Sequence, residues 1–293
     1  MRLNLMLLMV LAFLFTASAQ WGPSELTTGT VIDGNRTGKQ GNYHVEYWKD
    51  NGTGTMTLKD GGDFSCEWGQ VSNILFRKGI RPGSRKQVVV YSANYQPQGN
   101  SYLSIYGWFE NPLVEYYIIE SWGNWRPPGV ASKGSFDTEE GSYDIYENSR
   151  TGPSIKGNTT FKQYWSVRKN KRTSGTIFCG KHFDAWQSKG MQIGSFYEVS
   201  FNVEAYQSPG GKADVKVLMT TEDDYVNVRH NPGYDRSGSS AFQIQSHQGL
   251  YNALGKKINL IPEGIIVGNG QSVLLNNTRK SASGVYLLIP EKK

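Results

Sequence analysis

Two glutamates in strand-like segments are the residues of this sequence best suited to chemistry. Glu115 interrupts the apolar and aromatic segment 113–119, where a carboxylate is costly unless it is paired, hydrogen-bonded or functional. Glu204 lies in segment 197–206, whose alternation places Tyr197 on the core side and Glu204 on a polar face. A structural ion pair at Glu115 and plain solvent exposure at Glu204 are the alternatives to a site.

A pair of carboxylates of this kind suits glycoside hydrolysis. One carboxylate must stay ionised as the nucleophile, while the other needs a raised pKa so that it can protonate the leaving oxygen. The chain also carries 8 Trp, 17 Tyr and 12 Phe, whose flat rings stack well against sugars. Because spacing alone cannot bring Glu115 and Glu204 together, their meeting is a prediction.

The elements that would position them are short strands. Period-two alternation, interrupted by Gly, Pro, Asn and Asp clusters, runs through most of residues 20–219 and predicts an all-β fold, an antiparallel sandwich or jelly roll. One short α-helix is predicted over Lys181–Lys189, with Gly190 as its stop. The predicted strands are Gly41–Trp48, Thr53–Leu58, Phe64–Trp68, Gln87–Asn94, Ser101–Trp108, Leu113–Ser121, Tyr143–Glu147, Thr160–Val167, Gly175–Phe178 and Tyr197–Tyr206.

The two ends of the chain differ from this body. Residues 1–19 combine Arg2, an apolar core over Leu3–Phe15 and a small-residue site at Ala17–Ala19, which predicts a signal peptide and a secreted protein without a membrane span. All Trp residues precede residue 187, and this break in composition predicts a catalytic domain over 20–219 and a small β appendage over 220–293.

Charge and metal-ligand content exclude other classes of function. The formal net charge of +6 is spread along the chain, whereas a nucleic-acid-binding protein concentrates Lys and Arg on one face. Four scattered His and two Cys give no metal-ligand pattern, so no metal and no cofactor are expected.

Seven segments occur in a characteristic order and spacing, namely Tyr106–Trp108, Pro112–Ile119, Ser121–Gly123, Gly141–Tyr146, Pro153–Ile155, Phe161–Arg168 and Glu204–Ser208. With these segments, residues 43–217 resemble the family-11 endo-1,4-β-xylanases. The family implies a jelly roll of two strongly twisted antiparallel sheets with one helix, and retaining hydrolysis of internal β-1,4 bonds of xylan. The partners would then be xylan and xylo-oligosaccharides, with the chain acting as a monomer.

The resemblance assigns roles residue by residue. Glu115 is implied as the nucleophile and Glu204 as the acid/base, with carboxyl groups roughly 5–5.5 Å apart in a retaining enzyme. Pro153 matches the tip of a "thumb" hairpin over the cleft, one residue shorter here than usual. The residues implied in substrate binding are Trp48, Tyr106, Trp108, Tyr117, Arg150, Pro153, Gln163 and Tyr206.

Asn73 matches the neighbour of the acid/base. In the family, Asp at this position accompanies acidic pH optima and Asn near-neutral ones. A neutral amide adds no second carboxylate beside Glu204, which predicts an optimum at mildly acidic to neutral pH.

Cys66 and Cys179 are the only cysteines. In an exported protein they are predicted to form one disulfide, with two buried free thiols as the alternative.

Two other functions of the catalytic unit remain as alternatives. A jelly-roll β-glucanase would use the same carboxylates, and a catalytically dead xylan-binding lectin would be expected to lack one of them.

The role of the tail is a separate question. Segment 251–275 weakly resembles the terminal domains that Bacteroidetes use for secretion or sorting. A carbohydrate-binding module without Trp, or an appendage with neither role, are the alternatives.

Overall fold

Strands make up most of the computed structural model, which describes residues 24–229 and the segments 250–251, 257–258, 265–268, 271–274 and 287–288. The first nine strands are β1 Ser24–Glu25, β2 Val31–Ile32, β3 Arg36–Gln40, β4 Tyr43–Lys49, β5 Thr53–Leu58, β6 Phe64–Ile80, β7 Gln87–Gln98, β8 Ser101–Glu110 and β9 Val114–Trp122. The elements that follow are β10 Gly134–Thr138, β11 Gly141–Gly152, β12 Thr159–Arg168, β13 Ser174–Phe178, α1 Cys179–Ser188, β14 Ser195–Thr221 and α2 Glu222–Arg229.

Two long strands, β6 and β14, pass through both layers of the sandwich. The first part of β14 pairs with β8, and its last part pairs with β7, while β6 accompanies it along most of its length. One layer therefore has the order β1-β3-β4-β6-β14-β8-β9-β12-β11-β10, and β2, β5, β7 and β13 complete the other. The predicted all-β jelly roll is confirmed, except that the pairs β1–β3 and β9–β12 are parallel.

The core lies between the two layers. Alternation along β9 sends Tyr116 and Ile118 into this core and leaves Glu115 and Tyr117 on the opposite face. Helix α1 covers the core side, where Trp186 is fully buried near Tyr116, with ring centroids 5.8 Å apart. The outer face of the larger layer is consequently free to hold polar chemistry.

A second helix, α2, was not predicted from the sequence, which was interpreted as an acidic turn. The Thr221 hydroxyl donates to Asp224 Oδ2 over 2.8 Å, and the Asp224 N–H donates back to Thr221 Oγ1 over 3.4 Å. Thr221 thus caps the N-terminus of the helix, and the carboxylates of Glu222 and Asp223 in the first turn further stabilise its start. The Thr-x-x-Asp spacing was the missed signal.

The predicted domain boundary also cuts through paired structure. Strand β14 continues to Thr221, and Thr220 and Thr221 still pair with β7. Beyond it, the Tyr225 ring packs against Phe178 at 5.2 Å between centroids. We therefore propose that the jelly-roll body extends at least to residue 229.

The predicted disulfide between Cys66 and Cys179 is wrong. Both thiols are free and buried. Cys66 lies in β6 between its partners Met56 and Ala213, whereas Cys179 opens helix α1. Burial raises the pKa of each thiol, which keeps both protonated and unreactive.

The described parts of the tail are short strands, namely β15 Leu250–Tyr251, β16 Lys257–Ile258, β17 Ile265–Gly268, β18 Gln271–Leu274 and β19 Leu287–Leu288. Strand β15 pairs with β16 and β19, and β17 pairs with β18. The predicted signal peptide lies outside the described residues. Within the described residues, none of the helices has the length and apolarity needed to cross a bilayer.

Candidate active site

Five neighbouring strands bring the two predicted catalytic residues, Glu115 and Glu204, and three polar neighbours to the outer face of the larger layer. The order β14-β8-β9-β12-β11 carries Glu204, Tyr106, Glu115, Gln163 and Asn148 in turn. Two hairpins, β8–β9 and β11–β12, carry four of these side chains, and they are joined by the pairing of β9 with β12, while β8 pairs with β14. Pairing of non-adjacent strands, which periodicity does not reveal, therefore assembles the site.

Glu115 is held by two neutral donors. The Tyr106 hydroxyl donates to Oε1 over 2.8 Å, and the Gln163 amide donates to Oε2 over 2.6 Å. Trp108 Nε1 in turn donates to the Tyr106 oxygen over 2.7 Å, so the phenol proton must point at Glu115. Although only 5% exposed, the carboxylate thus has both oxygens hydrogen-bonded, and no salt bridge engages it among the described residues.

A relay of amide and indole groups fixes the orientation of Gln163. Trp165 Nε1 donates to Asn148 Oδ1, and Asn148 Nδ2 donates to Gln163 Oε1, each over 2.7 Å. The Gln163 side chain can therefore present only its NH₂ group to Glu115. Neither Asn148 nor Trp165 was predicted as a site residue. The predicted strand 143–147 ends one residue before Asn148, which the structure pairs with Gln163.

The environment of Glu204 disfavours a negative charge on its carboxyl group. It is 4% exposed, and its weak hydrogen bond from Asn202 Nδ2 is 3.5 Å long. Burial, followed by the charge of Glu115, raises the pKa of Glu204 to about 8 despite the opposing effect of Arg150. The two carboxyls are therefore electrostatic neighbours, and Glu204 is protonated at neutral pH. The solvent-exposed alternative for this face of β14 is wrong, because Glu198, Ser200 and Asn202 are fully buried.

Arg150 is a cation that interacts electrostatically with both carboxyls. It lies near the end of β11, opposite Phe161 in the hairpin with β12. Burial lowers its pKa, but Glu115 and then Tyr117 and Glu204 more than offset this, so the pKa of Arg150 is raised. The shortened hairpin tip thus still leaves this guanidinium within electrostatic reach of the site.

The tip of the β11–β12 hairpin, residues 153–158, contacts the cleft. Ser154 and Gly157 exchange backbone hydrogen bonds of 3.1 Å, which closes the turn after Pro153. Ile155 packs against the aromatic cluster of the cleft face, and Lys156 forms an ion pair with Glu110 at the end of β8.

Aromatic rings extend along the same face. Tyr117 stacks on Trp165 with ring centroids 4.1 Å apart and planes within 6°, and Trp48 packs against this cluster from β4. Beside Glu204, its register partner Tyr102 leads to Trp125, whose side chain is 43% exposed. Tyr102 and Trp125 were not among the predicted site residues.

Two predicted residues stand at the edge of this arrangement. Tyr206 and Asn73 are register partners on β14 and β6, two positions beyond Glu204. Tyr206 is 42% exposed, whereas Asn73 is buried and its Oδ1 contacts no donor among the described residues. No hydrogen bond links Asn73 to Glu204 in the part of the chain that the structure describes, so its effect on Glu204 stays a prediction.

Comparisons with known proteins find relatives over the part of the chain that carries these residues. The model of "Glycosyl hydrolases family 11" matches residues 40–216, which confirms the resemblance inferred from the motifs. An endo-1,4-beta-xylanase A from Thermoclostridium stercorarium is 53% identical over 190 residues, covering 62% of this chain and 29% of that protein. The chain thus spans less than a third of that relative.

A shorter relative and a solved structure cover the same region. The endo-1,4-beta-xylanase A of Bacillus pumilus is 50% identical over 188 residues, which are 61% of this chain and 82% of that one. The structure of the family 11 xylanase from Neocallimastix patriciarum superposes with a TM-score of 0.61 at 38% identity, covering 66% of this chain and all of its own.

Proposed function

The chain belongs to the glycosyl hydrolases of family 11, and from this premise we propose that it is an endo-1,4-β-xylanase that cleaves internal β-1,4 bonds of xylan with retention. The observation that carries the proposal is the contrast between its two carboxyls. Glu115 accepts two strong hydrogen bonds, whereas burial and the charge of Glu115 raise the pKa of its neighbour Glu204 to about 8.

The first step forms a covalent xylosyl-enzyme. A Glu115 oxygen attacks the anomeric carbon, the bond from that carbon to the glycosidic oxygen breaks, and Glu204 donates its proton to the leaving oxygen. Glu204 is thereby left as a carboxylate beside a Glu115 that has become a neutral ester. Because the charge on Glu115 is gone, its repulsion no longer opposes the ionised form of Glu204 when that group must act as a base.

The second step reverses these roles. Glu204 takes a proton from water, the water oxygen attacks the anomeric carbon from the face vacated by the leaving group, and the bond to Glu115 breaks. Two inversions at the same carbon give net retention. The hydrogen bonds that Tyr106 and Gln163 donate stabilise the negative charge that returns to Glu115. These donors need not reorganise, since their own partners already orient them.

The cleft provides flat surfaces on both sides of the carboxyls. We propose that Trp48 stacks on sugars of the glycone side, with Arg150 and the hairpin tip at Pro153 closing over the sugar next to Glu115. Tyr102 and Trp125 lie beyond Glu204, which donates to the leaving group, so they suit stacking of leaving-group sugars. No cofactor enters either step.

A substrate panel tests this function. Purified chain lacking residues 1–19 is incubated with glucuronoxylan, barley β-glucan and carboxymethylcellulose, and reducing ends and product anomers are followed. We expect that only xylan is cleaved, that cleavage at internal bonds gives xylo-oligosaccharides, and that their newly formed reducing ends have the β configuration. Turnover of β-glucan instead would keep the mechanism and overturn the substrate, and binding to xylan without turnover would favour a lectin.

The pH profile follows from the state of Glu204. Its proton is required for the first step and is lost above a pKa of about 8, so kcat/KM on soluble xylan should fall with rising pH in that range. We expect the optimum at mildly acidic to neutral pH, since Asn73 adds no carboxylate beside Glu204. A maximum far below this range would contradict the assigned role of Asn73.

We propose further that the protein is secreted after cleavage before Gln20 and acts as a monomer. The tail beyond residue 229 is proposed as a sorting or attachment segment, with carbohydrate binding as the alternative. Deleting residues 230–293 would separate them: a sorting segment alters where the enzyme accumulates, whereas a binding module alters retention on insoluble xylan.

A further inference from the structure

A buried cluster of charges lies next to the candidate active site on the same face of the sheet. Arg77 of β6 contacts Glu46 of β4 at 2.6 Å and makes an ion-pair contact with Glu198 of β14 at 3.3 Å. Arg81 contacts the other Glu198 oxygen at 2.5 Å. Glu198 is fully buried and Arg77 is 4% exposed, so these charges can compensate only one another.

The guanidinium of Arg77 also faces the ring that binds the nucleophile. Its Cζ lies 4.5 Å from the centroid of Tyr106, within the range of a cation–π contact. The same phenol donates to Glu115 over 2.8 Å. A continuous path therefore runs from the carboxylate pair Glu46 and Glu198, through Arg77 and Tyr106, to the reacting oxygen.

We propose that Arg77 is a positioning residue for the hydrolysis proposed above, acting on Glu115 through Tyr106. The guanidinium holds the ring in place and, as a fixed cation, eases the build-up of negative charge on the phenol oxygen. Tyr106 becomes a stronger hydrogen-bond donor to Glu115. That bond favours the ionised nucleophile before attack and stabilises it again when the xylosyl ester breaks.

Electrostatics supports this direction. Burial and then Glu115 raise the pKa of Tyr106, and Arg77 is the cation that opposes them. The pKa of Arg77 is itself raised, because Glu198, Glu46 and Tyr106 outweigh the cost of its burial. Arg77 hence keeps its charge at every pH at which the enzyme would work.

The charged and titratable groups around this path come from several strands. Those facing Arg77 and its partners are His44, Glu46, Arg81, Tyr106 and Glu198. Those facing Glu115 are Tyr106, Tyr117, Arg150 and Glu204.

Arg81 offers a matched control. It shares Glu198 with Arg77 and likewise lies over a tyrosine, with Cζ 4.3 Å from the ring of Tyr197. Arg81→Met and Arg77→Met each leave Glu198 with one cation, but only Arg77→Met removes the cation from Tyr106. A loss of activity caused merely by disturbing the ion cluster would appear in both variants.

The test compares pH profiles of kcat/KM on soluble xylan. For Arg77→Met we expect roughly a tenfold loss at low pH and an acid limb displaced to higher pH by at least half a unit, with KM little changed. Arg81→Met should keep the wild-type limb, and Arg77→Lys should restore part of the displacement. An unmoved limb in Arg77→Met would overturn the proposal.

A double-mutant cycle with Tyr106→Phe identifies the route. If Arg77 acts through the phenol, Arg77→Met should no longer displace the acid limb once Tyr106 is Phe. An equal displacement in both backgrounds would mean that Arg77 acts on Glu115 directly, contrary to the proposal. Where Arg77→Met fails to fold by circular dichroism, Arg77→Lys serves in the same cycle. Failure of the wild-type chain to cleave xylan would instead contradict the proposed function.

Discussion

Replacing Glu115 by glutamine is expected to lower xylan hydrolysis by ~10⁴-fold or more, because the amide cannot form the xylosyl ester. The side chain keeps its length and can still accept the hydrogen bond from Tyr106. Its new NH₂ group, however, faces the NH₂ group of Gln163, whose orientation is fixed by Asn148. Substrate binding should survive, since the stacking surfaces of the cleft are untouched.

The measurement is initial release of reducing ends, together with the dissociation constant for xylohexaose from calorimetry. Glu67→Gln is the matched control, since it makes the same chemical change at an exposed β6 residue whose partner is Thr55. That variant should behave as wild type. Turnover by Glu115→Gln above about one hundredth of the wild-type rate would place the nucleophile elsewhere.

Replacing Glu204 by alanine should give a different pattern. On xylan we expect a loss of ~10²–10⁴-fold, because the leaving oxygen is no longer protonated and water is no longer activated. On a dinitrophenyl xylobioside the first step needs no proton, so the phenolate should appear in a rapid burst. The xylosyl-enzyme on Glu115 then accumulates.

Azide should restore turnover of this variant. The anion fits the space left by the carboxylate and attacks without needing a base, giving a glycosyl azide of retained configuration. Glu204→Gln, which leaves no such space, should be rescued much less. Both variants should also lose the fall in rate above pH 8 that the raised pKa of Glu204 predicts for the wild type. Absence of both burst and rescue would refute the acid/base assignment.

Local patterns in the sequence predicted most of the long strands but missed β1, β2, β3 and β10. They also placed Tyr197 on the core side, whereas a register shift between Phe196 and Glu198 packs Tyr197 against the cleft-side aromatic cluster. Alternation around Glu115 correctly separates the cleft side of β9 from the core side that carries Tyr116 and Ile118. The predicted helix over 181–189 lies within two residues of α1. Such predictions succeed because an amphipathic strand or helix must expose one face and bury the other, whatever its partners.

Features that depend on contacts between residues distant in the chain could not be predicted from the sequence. Cys66 and Cys179 were predicted to pair because the chain is predicted to be exported, yet each is buried as a free thiol in a different element. The raised pKa of Glu204 likewise depends on its burial and on Glu115, which is 89 residues earlier in the chain but electrostatically close.

The sequence by itself determined the family, and it predicted two candidate carboxyls, Glu115 and Glu204, together with the face on which each lies. It did so because residue identity and period-two alternation are local properties. Only the tertiary structure decided that β14 and β9 flank β8, that Asn148 orients Gln163, and that Arg77 lies over the ring of Tyr106. These contacts join different strands, and their register is set by the packing of the whole sheet rather than by any one segment.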